Sequence, residues 1–112
     1  MSNGWSDAAD ILILETNVSD RATADRVAEA LVGPGHAACA NIYGPMRSVY
    51  RWKGAVEREE EWTVIFKMSA DRREAAVAAL RAAHPYETPC ILALGLEGGG
   101  RDYLEWVRAG GS

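Results

Sequence analysis

Two long runs of alternating side chains flank Lys53-Gly54, and nothing else in the chain restricts the fold as much. Before the turn, Cys39, Asn41 and Tyr43 alternate with Ala38, Ala40 and Ile42; Gly44-Pro45 interrupts, and Val49-Tyr50-Arg51-Trp52 resumes. After it, Trp62, Val64, Phe66 and Met68 alternate with Thr63, Ile65 and Lys67. Successive side chains of a strand point to opposite faces, so a period of two marks a half-buried strand. Two such runs about a glycine turn make a β-hairpin. Proline cannot donate to a ladder, so Gly44-Pro45 reads as a bulge or bend within it. A hairpin of this length commits the chain to an antiparallel sheet, and that sheet needs cover.

Helical patterns supply the cover. Ala24, Val27, Ala28 and Leu31 recur at helical spacing while Arg21, Asp25, Arg26 and Glu29 point away; Ser19 or Asp20 offers the N-cap and Gly33-Pro34-Gly35 the stop. A second helix has Ala76, Val77, Leu80 and Ala83 on its apolar face, Ser69 as its cap, and Arg72, Arg73 and Arg81 in water. Ile11-Leu12-Ile13-Leu14 precedes the first helix and reads as a strand buried on both faces; Cys90 to Leu94 follows the second as another strand. Gly98-Gly99-Gly100 reads as a flexible break. Asp102 then caps a short last helix, Tyr103 to Arg108, with Tyr103, Trp106 and Val107 on one side.

The order β-α-β-β-α-β predicts an α+β, ferredoxin-like fold: one antiparallel sheet with both helices on one face, and a short C-terminal helix added. Residues 1–9 read as a flexible N-terminal segment and 10–112 as a single domain. Tyr43, Tyr50, Trp52, Trp62 and the apolar first strand exceed what one buried face of so small a sheet holds, which points to self-association through the other.

Several function classes drop out. A net charge of −4 and the lack of a basic stripe argue against nucleic acid. No apolar run approaches the roughly 18 residues of a membrane span. Cys39 and Cys90 are the only cysteines and lie far apart, which argues for a reducing, cytoplasmic setting. No Lys-Ser/Thr follows the glycine triplet, so it is not a phosphate loop, and no organic cofactor is indicated.

The chemistry concentrates in His84-Pro85-Tyr86-Glu87-Thr88-Pro89, where an imidazole, a phenol and a carboxylate crowd between two prolines. Each proline biases its predecessor toward extended backbone, so the segment is a rigid connector from helix to strand. At a helix C-terminus the dipole favours the charged form of His84; the alternative role is a helix stop whose imidazole caps carbonyls. Glu57 to Glu61 reads as a solvated hairpin arm and His36 as a surface loop residue. A hydrolase with His84 as base and Cys39 as nucleophile lacks a third group to orient the imidazole, so the chain does not read as an enzyme.

Four stretches carry a family resemblance: Ala37-Ala38-Cys39-Ala40-Asn41-Ile42, Ser48-Val49-Tyr50-Arg51-Trp52-Lys53-Gly54, His84 to Pro89, and Asp102-Tyr103-Leu104-Glu105-Trp106. In this order the chain resembles the CutA divalent-cation tolerance proteins from about Ile11 to Val107. The resemblance implies a ferredoxin-like subunit in a tight homotrimer, tolerance to copper and other divalent ions, and no enzymatic reaction. Its metal positions match Cys39 and His84, with Glu87 bordering the same cleft; where some members have a cysteine at the end of the first strand, Glu15 stands here, a harder ligand less suited to Cu(I). The subunit fold is also similar to the PII-type signalling proteins. That alternative makes the chain a regulatory or scaffolding trimer, with Asn41, Tyr50, Trp52, Lys67, Tyr86 and Glu87 lining inter-subunit clefts for a small ligand.

Overall fold

The computed structural model describes residues 3–112. Its longest elements are β3 (Cys39–Trp52) and β4 (Ala55–Ser69), preceded by β1 (Trp5–Asp7), β2 (Ile11–Val18) and α1 (Arg21–Val32). They are followed by α2 (Arg73–Ala83), β5 (Leu92–Gly95), β6 (Gly98–Gly100) and α3 (Arg101–Arg108). The hairpin forms because its turn is satisfied. Lys53 and Gly54 both adopt positive φ, 50° and 83°, the primed-turn geometry whose twist matches the flanking strands, and Trp52 pairs with Ala55. The register shifts between Tyr43 and Met46, as the Gly44-Pro45 step requires. A side chain at Gly44 has no room: a Cβ there would lie 2.5 Å from the Trp62 indole.

The main sheet runs β3-β4-β2-β5 with every neighbour antiparallel, which is the split βαβ topology. Leu12, Leu14 and Val18 of β2 and Val64, Phe66 and Met68 of β4 pack beneath α1 and α2, whose Val27, Leu31, Ala76 and Leu80 are fully buried. Each large apolar side chain so buried contributes about 1.5–3 kcal/mol, and this one-sided core dominates the subunit's stability. Asp20 caps α1 as expected, accepting from the Thr23 N–H at 2.7 Å. Ser69 does not cap α2: a 3-10 turn, Ala70–Arg72, opens that helix, and the Ser69 hydroxyl donates to the Arg108 carbonyl instead. Arg72 is half-buried rather than wet, its guanidinium donating to the Gly35 carbonyl that ends α1's turn.

Further expectations are corrected on the other face. Strand β2 is not buried on both sides, because Ile13, Glu15 and Asn17 alternate outward with intermediate exposure. The start of the chain is not loose over Trp5–Asp7, which pairs with Gly98–Gly100, so the glycine triplet is a strand rather than a break; Met1 and Ser2 lie outside the described residues. Backbone pairs with backbone there, and no side-chain period announces it. Gly98 is needed, since a Cβ would meet the Ser6 carbonyl at 2.5 Å. Arg101 donates to the Trp5 carbonyl at 2.6 Å, and Arg108 forks onto the Asp10 carboxylate at 2.7 and 3.2 Å, holding that exposed carboxyl below its ordinary range. Finally, α3 turns Leu104 and Val107 inward against Ile11 and Ala38, leaving Tyr103 and Trp106 outside; Gly100 holds the cap position and Asp102 sits in the first turn.

The close approach at Gly44 generates a test. Gly44→Ala overpacks against Trp62 and is expected to lower stability by about 1–3 kcal/mol, read as a reduced urea midpoint at constant slope.

Candidate functional site

The face that α1 and α2 leave open can be followed row by row, because directly paired residues share a face. Cys39, Lys67, Ile13 and Leu94 form the first row; Asn41, Ile65, Glu15 and Leu92 the second; Tyr43, Thr63 and Asn17 the third. Helix α3 covers the end before the first row. Beyond the third row lies a cleft of about 780 Å³. The bulge makes it: β3 and β4 change register there, and the hairpin arm carries Tyr50 and Trp52 out beyond the helix-backed core.

Its walls are aromatic and acidic. Tyr50, Trp52 and Tyr86 line it with Glu57, Glu59, Glu61 and Glu87, together with Asn17 and Cys90, and no Lys or Arg is among the lining residues. Glu61 is only 7% exposed, so the hairpin arm is not uniformly solvated as its composition suggested. The carboxylate accepts the Tyr86 hydroxyl at 3.1 Å. Burial, helped by that bond and the Glu61 charge, pushes the Tyr86 phenol up to about 12, so it stays a donor at any physiological pH. On the same edge the Asn17 side chain accepts from Thr63 at 2.8 Å and donates to the Cys90 sulfur at 4.0 Å. Burial raises the Cys90 thiol as well, which keeps it protonated and unreactive.

His84 leaves α2 in extended backbone, as Pro85 dictates, and its imidazole is 7% exposed. Both ring nitrogens are used. Nδ1 accepts from the Tyr86 N–H at 3.2 Å, so the proton resides on Nε2, which donates to the Asn17 carbonyl at 2.9 Å. Tyr86 also stands edge-on to the ring at 4.8 Å. Burial lowers the His84 pKa, outweighing the opposing pull of the Asn17 carbonyl and Glu61. The charged form expected at a helix end is therefore corrected: desolvation exceeds the helix dipole, and the ring is a neutral pin joining α2's exit to β2.

The residues anticipated for one site divide between two. Tyr50, Trp52, Tyr86 and Glu87 meet in the cleft, with His84 directly behind Tyr86. Lys67 and Asn41 belong to the other end of the open face, where the Lys67 ammonium donates to Asn41 at 2.9 Å and stands 5.5 Å over the Tyr103 ring. Cys39 is there too, its sulfur 3.5 Å from the Tyr103 hydroxyl. Four residues of strand separate its row from that of Asn17, roughly 13 Å, so one chain does not bring Cys39 and His84 onto one ion. Among the described residues no three His, Cys, Asp or Glu side chains converge as a metal site. Asn17, Glu61 and Cys90 were missed as site residues. For Glu61 the signal existed: the alternation Lys67, Ile65, Thr63 continues back to it.

Fold and site together define a small α+β chain whose half-open antiparallel sheet carries an aromatic and acidic cleft at one end. Residues 12–110 match the model of the CutA1 divalent ion tolerance protein family. A divalent-cation tolerance protein CutA from Pectobacterium atrosepticum is 34% identical over 100 residues, spanning 89% of this chain and 91% of that one. The structure of CutA from Synechococcus elongatus PCC7942 superposes with a TM-score of 0.91 at 35% identity, covering 98% of this chain and 97% of the other. The same protein complexed with a Bis-Tris molecule gives 0.87, covering 95% and 98%. A periplasmic divalent cation tolerance protein CutA from Archaeoglobus fulgidus gives 0.86 at 28% identity, covering 91% and 99%. The chain belongs to the CutA1 divalent ion tolerance protein family.

The neutral His84 predicts a pH dependence. The unfolded ring takes up a proton below about pH 6.5, whereas the folded ring resists until lower pH. Its stabilising contribution is therefore complete above the unfolded pKa and is lost as pH falls through the folded one. Chemical denaturation from pH ~8 down to pH ~5 should show stability falling on acidification, and His84→Gln should flatten that slope.

Proposed function

We propose that the chain works as a homotrimer that takes up Cu(II) or a similar divalent ion at its inter-subunit clefts. The observation that carries this is the lining of the cleft: four carboxylates, from Glu57, Glu59, Glu61 and Glu87, with no basic residue among them. Such a wall attracts cations, and at an unselective oxygen-and-nitrogen site the Irving–Williams order favours copper. Assembly is supported by the exposed apolar rows, Leu92 at 51% and Leu94 at 47%, with Tyr43, Val49, Tyr50 and Trp52 beyond them. A neighbouring subunit would supply what one chain lacks, bringing its Cys39 toward His84 and Glu87. His84 would then exchange one of its two internal hydrogen bonds for the ion. Two free cysteines suit a reducing compartment, and we place the protein in the cytoplasm.

A second reading is favoured by a separate observation. The cleft holds about 780 Å³ and is walled by three aromatic rings, which exceeds what a bare ion needs and suits a small organic ligand in a PII-like regulatory trimer. A relative, CutA from Synechococcus elongatus, is complexed with Bis-Tris, a small organic molecule.

Two measurements test these readings. Sedimentation equilibrium at micromolar concentration is expected to give a trimer whose melting temperature rises with protomer concentration; a stable folded monomer ends the assembly proposal. Calorimetric titration with copper is expected to show about tenfold weaker binding in each of Cys39→Ser, His84→Ala and Glu87→Gln. If all three bind as the wild type does, the metal reading fails and the small-ligand reading is the one to pursue.

A further inference from the structure

The two ends of the open face carry charges that nothing in the same chain neutralises. At one end the Lys67 ammonium donates to the neutral Asn41 side chain at 2.9 Å and stands 5.5 Å over the Tyr103 ring. Among the described residues no carboxylate lies within ion-pair distance of it. At the other end Glu61 is 7% exposed, and its donor among the described residues is the neutral Tyr86 hydroxyl, which reaches only Oε2. A carboxylate so deeply buried is ordinarily paired with a cation. The cleft around it offers none, since three more glutamates and no Lys or Arg line it. Both residues stand on β4 and face the open side, because Lys67, Ile65, Thr63 and Glu61 alternate with the buried Phe66 and Val64. Six residues of strand keep them roughly 20 Å apart, so the chain that owns the lysine does not pair it with its own Glu61.

Between the two ends the face is apolar, with Ile13 and Ile65 half-buried and Leu92 and Leu94 exposed. A positive end, an apolar middle and a negative end are complementary to a second copy placed so that unlike ends meet, and head-to-tail contacts of this kind generate rings. We propose that in the assembly the Lys67 ammonium of each subunit enters the acidic cleft of its neighbour, pairs with Glu61 there, and acts as the resident counter-ion against which a metal ion must compete. This rests on the trimeric reading above, in which a neighbour's Cys39 approaches His84 and Glu87. Cys39 and Lys67 lie directly opposite each other across β3 and β4, so one does not arrive without the other. The cleft then holds one tethered cation among its carboxylates, and it attracts a second cation less strongly than four glutamates alone imply. Metal uptake and subunit contact draw on the same carboxylates.

The first test needs only the wild-type protein. A water-soluble carbodiimide joins an amine to a carboxylate, with loss of water, where the two are in contact. Once Lys67 is acylated, it and Glu61 fall in one tryptic stretch, Glu59 to Arg72. A bond between subunits therefore joins two copies of that stretch, while a bond within one chain closes a single copy on itself. Mass spectrometry is expected to find two copies joined from Lys67 to Glu61. A protein that sediments as a trimer without that bond overturns the pairing and leaves the assembly reading standing; a monomer ends both. Lys67→Met and Glu61→Gln should each lower the urea midpoint at fixed protomer concentration, and the double variant should lose no more than the larger single change. Effects of residues roughly 20 Å apart in one chain would instead add, and additive losses overturn the pairing. Should Glu61→Gln fail to fold, the cross-link decides alone. Copper is expected to bind trimeric Lys67→Met about tenfold more tightly than wild type, the effect of removing a positive charge beside a divalent ion. Equal or weaker binding overturns the lysine's role as competitor. If wild type and Lys67→Met both take up no copper, that role falls with the metal reading, while the cross-link still decides the pairing.

Discussion

Two helices cover one face of a four-stranded sheet and no more, and the rest of this molecule follows from that limit. The split βαβ connection puts α1 and α2 on the same side, so Leu12, Leu14, Val64 and Phe66 gain a dry core while Ile13, Glu15, Ile65 and Lys67 face outward from the same strands. Alternation along β2 and β4 guarantees that every buried residue has an outward neighbour. The open face is therefore an obligatory product of the core. The chain closes one end of it with its own terminal pieces, β1, β6 and α3, and leaves the remainder with leucines and aromatics exposed.

Polarity along that face is not uniform. The end beneath α3 carries Lys67, and the end beyond the bulge carries the glutamates of the hairpin arm. The two ends are about four strand residues apart, beyond one Debye length at physiological salt, so each presents its own field to solvent. The two cysteines divide the same way, Cys39 beside Tyr103 and Cys90 beside Asn17.

The rigid connector His84–Pro89 organises the acidic end: Tyr86, Glu87 and Thr88 line the cleft, and the buried imidazole of His84 stands behind them. Its imidazole, held by a backbone donor on one side and a backbone acceptor on the other, fixes Tyr86 in place; Tyr86 in turn satisfies buried Glu61. Removing one partner of such a chain leaves the others desolvated and unpaired, which costs more than the bond itself contributed. The charged wall of the cleft is held in position by neutral groups behind it.

Much of the fold was legible in the sequence because it rests on period and punctuation. Two alternating runs about Lys53-Gly54, two helical stripes and the prolines of the connector are local signals, each read without knowing what lies across the sheet. The candidate site was legible only in part: Tyr50, Trp52, Tyr86 and Glu87 do converge, while Asn41, Lys67 and Cys39 lie at the other end. Residue identity says what a side chain can do, and register says which others it does it with. Register here is set by a bulge and by strand neighbours distant in sequence. The pairing of Trp5–Asp7 with Gly98–Gly100, the burial of Glu61 and the neutrality of His84 were likewise left to the tertiary structure. Each depends on what packs against the residue from elsewhere, and desolvation, unlike hydrophobic period, has no signature along the chain.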